Sequence, residues 1–391
     1  MTDLLIPSRR SFLLGAAGVS VAFAACTSRA QEGVAGRPRV VVIIARGAMD
    51  GLSVVVPYAD RQYSALRGDL AIPGPGGQGG ALRLDGDFGL HPALTELHSL
   101  YQSGQARFAP AVALPVRVRS HFDAQDVLET GGEQVNASRD GWMNRAVTAS
   151  GGGRALAVGA QMPLILRGSA QTEGWSPGVN TDTERLGTLI QDLYADDPLL
   201  GPAFAAGLRT ETQADVVTDG FQIRRNDYPA IGQAVARFMR LPDGPDFVAL
   251  SLDGYDTHAR QAGLLTNRLR IQDGVLKGLR EGLASDWRST IVVVATEFGR
   301  TVRINGTAGT DHGTGSSLIL AGGALRRGGL VGDWPTLAEN RLFENRDLAP
   351  TLDIRSVFKG ILRDHMGIDR AALDRTVFPN SQEAPAYDGL V

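Results

Sequence analysis

The segment Phe247-Val-Ala-Leu-Ser-Leu-Asp-Gly-Tyr-Asp-Thr-His258 joins an apolar, strand-like run to acidic and histidine residues. The same succession of an apolar run and then polar residues occurs again further along the chain. The β-branched run 290–295 is followed by Glu297, and a Gly- and Thr-rich loop then carries Asp311 and His312. In an α/β protein, side chains that follow buried parallel strands gather at the carboxyl edge of the sheet, where ligands bind. The stretch therefore predicts a sheet with a polar site along one edge.

Continuous apolar runs of strand length alternate with segments of helical spacing along the whole chain. The predicted strands are 39–45, 106–114, 247–252, 290–295 and 316–320, and the predicted helices include 91–100, 260–284 and 349–366. This alternation predicts an α/β fold, a three-layer αβα sandwich with a mostly parallel central sheet. Region 150–245 has no dense polar cluster. We interpret it as an insertion that covers the site or packs against it, with helices at 182–208 and 228–239.

Composition excludes several classes of protein. The chain has 391 residues and a formal net charge of -3, which gives no nucleic-acid-binding footprint. The single cysteine, Cys26, excludes an intramolecular disulfide framework and a cysteine-based metal cluster. No apolar run after residue 30 is long enough to span a bilayer. Residues 31–391 are therefore expected to form a single domain without a transmembrane segment.

Residues 1–30 have the pattern of an export signal. Ser8-Arg-Arg-Ser-Phe-Leu-Leu14 precedes a small apolar run, which resembles a twin-arginine signal and implies the twin-arginine translocation machinery as a partner. The end of the signal has two readings. Phe23-Ala-Ala-Cys26 resembles a lipoprotein box and would leave Cys26 lipidated, whereas Ser28-Arg-Ala30 fits ordinary cleavage. The protein is expected in the periplasm or secreted, and release is slightly favoured over anchoring.

Acidic and histidine side chains after successive strands predict a divalent metal site. The candidate ligands are Asp256, His258, Glu297, Asp311 and His312. The identity of the ion stays open among zinc, manganese, calcium and magnesium.

Two further positions have both a structural and a functional interpretation. Asp50 follows the first strand, where it is either a turn residue that caps the next element or a first-strand metal ligand. Ser120 is placed as a helix N-cap with Asp123 three residues on, and the same position would suit a nucleophilic hydroxyl facing a metal. Arg117 and Arg119 lie close enough in sequence to hold an anionic group there.

Together these motifs resemble the DUF1501 family of exported bacterial proteins over about residues 39–367. The motifs are Arg46-Gly-Ala-Met-Asp-Gly51, Arg119-Ser-His-Phe-Asp-Ala-Gln-Asp126, Gly254-Tyr-Asp-Thr-His258, Thr296-Glu-Phe-Gly-Arg300 and Gly309-Thr-Asp-His-Gly313. The layout is similar to that of the alkaline phosphatase–sulfatase superfamily, so the resemblance implies an alkaline phosphatase-like fold.

The resemblance also implies roles for individual residues. Asp50 would be the first-strand ligand and Ser120 the nucleophile. Asp256 and His258 would belong to one metal site, with Asp253 as a competing choice. Glu297 would stand at the acidic position after its strand, and Asp311 and His312 would supply the late histidine and a replacement carboxylate.

Two departures from the superfamily pattern stand in this chain. Phe298 occupies a position where a histidine usually follows the acidic residue, and Asp256 and His258 are more closely spaced than is common in phosphatases. Both weaken the expectation of a two-zinc site and leave one metal, or a different metal, open.

Three functions are compatible with these features. The first is a metal-dependent hydrolase of phosphate or sulfate esters acting on a small anionic ester, with Ser120 and Arg119 as catalytic residues. The second is a non-catalytic exported binding or assembly protein that retains the metal or ligand site. In the third, the Asp and His residues are loop caps and hydrogen-bond partners without a metal.

Overall fold

A nine-stranded sheet forms the middle layer of the computed structural model, which describes residues 36–177 and 227–391 and a few single positions between them. The strands are β1 (Arg39–Arg46), β2 (Val55–Val56), β3 (Leu82–Arg83), β4 (Gly89–Leu90), β5 (Ala106–Ala113), β6 (Ala155–Val158), β7 (Thr172–Trp175), β8 (Phe247–Asp253), β9 (Thr290–Ala295), β10 (Ser316–Ala321), β11 (Gly329–Leu330) and β12 (Leu352–Asp353). The described helices are α1 (Gly51–Val54), α2 (Tyr63–Arg67), α3 (Thr95–Gln102), α4 (His121–Thr130), α5 (Trp142–Ala149), α6 (Tyr228–Arg240), α7 (Gln261–Leu283), α8 (Ile354–Asp364) and α9 (Arg370–Ala372).

The sheet is mostly parallel, as the sequence predicts. Its order is β11-β5-β10-β9-β1-β8-β6-β7, with β12 also paired to β5, while β2, β4 and β3 form a small second sheet. Strand β1 lies between β8 and β9 and is parallel to both, so that Ile43 pairs with Leu250 on one side and Val294 on the other.

Strand β10 corrects the expectation of a parallel fifth strand, because it runs antiparallel to both β9 and β5. Because β10 is antiparallel to its neighbours, it begins at the edge of the sheet where β1, β8 and β9 end. The loop that precedes β10 is thereby brought to the carboxyl edge of its parallel neighbours, which a parallel β10 would not allow.

Helices cover both faces of the sheet, which confirms the three-layer arrangement. On one face, Val40, Val42 and Ile44 belong to a buried cluster that includes residues of α4, α5 and α8. On the other face, Val41, Ile43 and Ala45 belong to a cluster with residues of α3, α6 and α7. The alternation follows from the two-residue period of a strand. Burial of each such branched side chain contributes about 1.5–3 kcal/mol.

The middle region 150–245 begins and ends with elements of the sandwich. Strand β6 pairs in parallel with β8, and β7 extends the sheet beyond β6. Helix α6 lies in the helical layer with α7 and matches the helix expected at 228–239. The helix expected at 182–208 falls almost entirely outside the described residues. Among the described residues, no helix combines the length and apolarity needed to cross a membrane.

Two helices begin later than the sequence pattern indicates. Helix α8 starts at Ile354 rather than 349, because Leu352 and Asp353 pair with β5 and the Asp353 carboxylate then accepts the amide of Arg355. Helix α3 starts at Thr95 rather than His91, because a turn precedes it in which the Ala93 amide donates a hydrogen bond to the His91 ring.

The buried His91 ring makes the stability of the fold pH-dependent. Its Nδ1 accepts the amide hydrogen of Ala93 at 3.0 Å, so the ring is held neutral. Burial, with a smaller contribution from the Arg270 charge, lowers the pKa of His91 to about 4. An unfolded histidine has a pKa near 6.5, so between pH ~6.5 and ~4 the unfolded chain binds more protons and the free energy of unfolding falls as the pH falls.

We expect His91 to account for a loss of about 2 kcal/mol in the free energy of unfolding between pH ~7 and ~4.5. The matched variant is His91→Asn, because an asparagine oxygen accepts the amide two residues on without titrating. Urea denaturation of both proteins at the two pH values measures the difference. Equal pH dependence in the two proteins would show that the His91 ring does not control this loss.

Candidate metal centre

Four loops meet at one edge of the sheet. Strands β1, β8 and β9 end there, β10 begins there, and β5 runs antiparallel to β10 and leads through residues 114–120 into α4. These loops place His121, Asp256, His258 and His312 together.

Three imidazole nitrogens converge on one carboxylate oxygen. From Asp256 Oδ1, the Nε2 atom of His258 lies 3.0 Å away, that of His312 3.2 Å and that of His121 3.4 Å. The Nε2 atoms of His258 and His312 are 2.9 Å apart. Within the described part of the chain, ligand atoms of His121, Asp256 and His312 all lie within 4.8 Å of one another. We call these three residues the metal cluster, with His258 beside it.

The other nitrogen of each ring faces an oxygen that accepts a hydrogen bond. His121 Nδ1 lies 2.8 Å from Glu297 Oε1, and His312 Nδ1 lies 2.8 Å from the Arg119 carbonyl oxygen. His258 Nδ1 lies 3.2 Å from Asp311 Oδ1. Each Nδ1 therefore carries a proton, and in the neutral ring the Nε2 lone pair points inward.

This arrangement fits a bound metal ion. Metal-ligating histidines typically donate their second N–H to a carboxylate or a backbone carbonyl, as all three rings do here. The Nε2 atom of His121 is buried and has no hydrogen-bond partner among the described residues. A buried polar atom of this kind calls for a ligand that the protein itself does not supply.

The carboxylates of the site are held ionised against burial. Burial by itself raises the pKa of Glu297, but hydrogen bonds from His121, Gln125 and the Gly47 amide lower that pKa below its usual value. Burial likewise opposes ionisation of Asp256, and Arg300 holds its pKa at about 2.

The imidazoles of the metal cluster differ in their preference for a proton. The hydrogen bond to Glu297 raises the pKa of His121. Burial lowers the pKa of His312. His312 is therefore the ring that the protein keeps neutral most strongly, which suits a ligand nitrogen.

Arg300 fixes the loop that carries Asp256. Its buried guanidinium donates to Asp256 Oδ1 and to the carbonyls of Gly47, Ala48, Tyr255 and Thr310. The end of β1 and the loops after β8 and β9 are thus tied together through one side chain.

The predicted ligands divide into two groups. Asp256 and His312 belong to the metal cluster, and His258 lies beside it. Glu297 and Asp311 instead accept hydrogen bonds from the outer nitrogens of His121 and His258. His121 was not among the ligands predicted from the sequence, because it directly follows Ser120 in a segment that has the pattern of a helix cap.

Asp50 is not part of the metal cluster. Its Oδ2 atom is paired with the buried Arg67 guanidinium, and it also accepts hydrogen bonds from Ser53 and from the Gln261 amide. Gln261 Oε1 in turn accepts the hydroxyls of Thr257 and Thr310, which adjoin the loops that carry the histidines. In this arrangement Asp50 anchors a buried polar network behind the site.

The residues expected to handle an anion are mostly engaged elsewhere. Ser120 is the N-cap of α4 and accepts the Asp123 amide at 3.5 Å, while its side chain stays exposed. The Arg119 guanidinium is paired with Asp347 and Glu344. Arg117 donates to the carbonyl of Leu114.

Phe298 closes one wall of the metal cluster. Its ring stacks on His121 with 4.9 Å between centroids, and its centroid lies 5.1 Å from that of His312. Position 298 is here an apolar support for two imidazoles.

Fold and site together define an α/β sandwich protein with a histidine- and aspartate-lined candidate metal centre at the sheet edge. The family model described as "Protein of unknown function (DUF1501)" matches residues 84–377, and the chain belongs to this family. No curated protein matches the chain.

Several solved structures are similar to the chain at low identity. The C-terminal periplasmic domain of EcEptC from Escherichia coli, solved in complex with Zn, is 10% identical with a TM-score of 0.39, covering 92% of this chain and 93% of that one. Alkaline phosphatase from the Antarctic bacterium TAB5 is 12% identical with a TM-score of 0.37, covering 75% and 94%. The phosphonate monoester hydrolase of Agrobacterium radiobacter is 10% identical with a TM-score of 0.38, covering 85% and 74%.

Proposed function

We propose that this protein is an exported, metal-dependent hydrolase of phosphate or sulfate esters. The observation that carries the proposal is the convergence of three imidazole Nε2 atoms on Asp256 Oδ1, with every outer nitrogen bonded to an oxygen. A divalent ion held there would supply Lewis-acid polarisation of an ester oxygen. Nitrogen-rich donors with one carboxylate favour zinc over calcium or magnesium.

The chain's own residues have separate roles in this proposal. His121, Asp256 and His312 hold the ion, with His258 as a further ligand. Separately, Glu297, Asp311 and the Arg119 carbonyl orient the three rings. None of these outer groups is proposed to touch the substrate.

Ser120 is the proposed nucleophile. It precedes His121 directly, and its hydroxyl is exposed at the amino terminus of α4. The amide groups at that terminus favour the negative charge of an ester anion. Attack by the hydroxyl oxygen on the phosphorus or sulfur atom would release the alcohol and leave the group on Ser120 until water removes it.

A non-catalytic binding or assembly role is the second candidate. Three observations favour it: Asp50 is paired with Arg67, Arg119 is paired with two carboxylates, and the apolar ring of Phe298 packs on His121. This role predicts metal binding without turnover.

Export by the twin-arginine route is part of the same proposal. It rests on the sequence, because residues 1–30 lie outside the described residues. The paired Arg9 and Arg10 are the supporting feature. The translocation machinery would be a partner, the periplasm or the medium the destination, and lipidation of Cys26 the alternative to release.

Turnover of model esters tests the proposed activity. The purified protein, loaded in turn with zinc, manganese, magnesium or calcium, is given 4-nitrophenyl phosphate and 4-nitrophenyl sulfate. We expect hydrolysis of at least one ester, and we expect Ser120→Ala to lower kcat on the order of 100-fold or more. The exposed Ser285→Ala is the control and should keep wild-type activity.

The outcomes separate the two candidates. Metal binding with no turnover of either ester would favour the non-catalytic role. Turnover that Ser120→Ala leaves unchanged would remove Ser120 as the nucleophile.

A further inference from the structure

A cavity of about 860 Å³ opens beside the metal cluster at the same edge of the sheet. Gln125 lies on its wall and donates to Glu297 Oε1, the oxygen that holds the His121 ring. Tyr255 on the same wall directly precedes Asp256, and Phe122 directly follows His121. A molecule in the cavity would therefore lie next to the reacting centre of the proposed hydrolase.

Phe122 gives this cavity an apolar rim. Its side chain is 87% exposed although it lies on α4 beside the buried core. Among the described residues this aromatic surface stays almost entirely uncovered, and a large exposed ring at a cavity mouth is typical of a binding surface. The rim therefore suits the apolar body of a small molecule.

Arg268 places a positive charge on the wall of the cavity. Of the three arginines on the wall, Arg46 bonds to Glu129, Gln125 and Ser251, and Arg167 bonds to the Met162 carbonyl. The Arg268 guanidinium makes no ion pair with any carboxylate of the described residues.

The position of the Arg268 guanidinium is set by the chain at Gly254. A Cβ atom at Gly254 would lie only 2.7 Å from Arg268 Nε, so the guanidinium rests directly on this glycine. The φ angle of Gly254 is +95°, which independently requires a glycine. The Cα atoms of Gly254 and Asp256 are two residues apart and therefore at most about 7–8 Å from each other. The guanidinium thus lies against the same loop that carries Asp256.

Asp253 restricts where a negative group binds. It is exposed on the same wall and makes no ion pair among the described residues. The wall thus presents both signs of charge, and an anion is favoured only on the Arg268 side.

We propose that the cavity holds the organic part of the substrate ester and that Arg268 binds a second anionic group on it. The inference rests on the proposed function and narrows its substrate class to monoesters with an apolar body that carries a carboxylate or a comparable anion. A guanidinium–carboxylate pair of this kind contributes enough to change affinity by roughly 10-fold or more.

Binding of two non-hydrolysable probes tests this assignment separately from activity. Calorimetric titration compares 4-carboxyphenylphosphonate with phenylphosphonate on the metal-loaded protein. We expect the carboxylated probe to bind about 10-fold more tightly to the wild type, and Arg268→Gln to abolish that preference. Arg270→Gln is the matched control, because Arg270 lies on the same helix and lines a different cavity.

Each result decides the inference. Equal affinity of the wild type for both probes would overturn it, as would a preference that Arg268→Gln retains. A preference that depends on Arg268 in a protein that hydrolyses no ester would support the cavity assignment and refute the hydrolase. Hydrolysis of aryl esters, combined with probe affinities that Arg268→Gln leaves unchanged, would support the hydrolase and refute the cavity assignment.

Discussion

Replacing His121 or His312 with alanine is expected to lower the affinity for a divalent metal ion by more than ~100-fold. Loss of a group that only orients a metal ligand typically costs 10–100-fold, and these two side chains are proposed to contact the ion themselves. The Nε2 atoms of both rings face Asp256 Oδ1, and that of His121 has no hydrogen-bond partner in the described part of the chain. Competition with a chromophoric chelator measures the affinity of each variant.

A control histidine and a graded variant make this prediction specific. His98→Ala should keep wild-type affinity, because His98 bonds to the Arg83 carbonyl outside the metal cluster. Glu297→Gln should have an intermediate effect, about 10–100-fold, since Glu297 only orients His121. Equal metal affinity in the wild type, His121→Ala and His312→Ala would contradict the cluster assignment.

Replacing Arg67 with alanine is expected to lower the free energy of unfolding by about 3–5 kcal/mol. Arg67 and Asp50 are both almost fully buried, and removal of the cation leaves an unpaired charge in the core. Chemical denaturation measures the loss, and the exposed Arg61→Ala should leave stability nearly unchanged.

The double variant Asp50→Asn/Arg67→Met separates charge from packing. Because it removes both charges together, it should recover part of the stability lost in Arg67→Ala. Asp50→Asn should also leave metal affinity close to that of the wild type, since Asp50 lies outside the metal cluster. A protein that keeps its stability but loses its metal on Asp50→Asn would restore Asp50 as a ligand.

The core strands could be predicted from sequence because continuous β-branched runs report burial on both faces. Strands β1 and β9 follow this pattern, whereas β8 is an apolar run that is buried over its first four residues. Strands β8 and β9 lead into the loops that carry Asp256 and Glu297 to the sheet edge. The direction of β10 could not be predicted, because an apolar run reads the same in either direction. That direction decides how His312 enters the site.

The site itself could be predicted only in part, because partners distant in sequence decide each side chain's role. His121 and Glu297 are separated by 176 positions, and only the fold reveals that one orients the other. Asp50 has the sequence context of a ligand, yet it forms a buried ion pair with Arg67 of the short helix α2. His121 did carry a signal, since it opens a helix that follows a core strand, as a ligand at this edge would.

The most direct test of the account is elemental analysis of the protein purified without chelator. The account predicts near-stoichiometric divalent metal, with zinc favoured by the nitrogen-rich donors, in the wild-type protein. Absence of metal from the purified protein, persisting after it is loaded with zinc, manganese, magnesium and calcium, would contradict the central claim. The three imidazoles would then be structural neighbours of Asp256, held in place by the hydrogen bonds of their outer nitrogens.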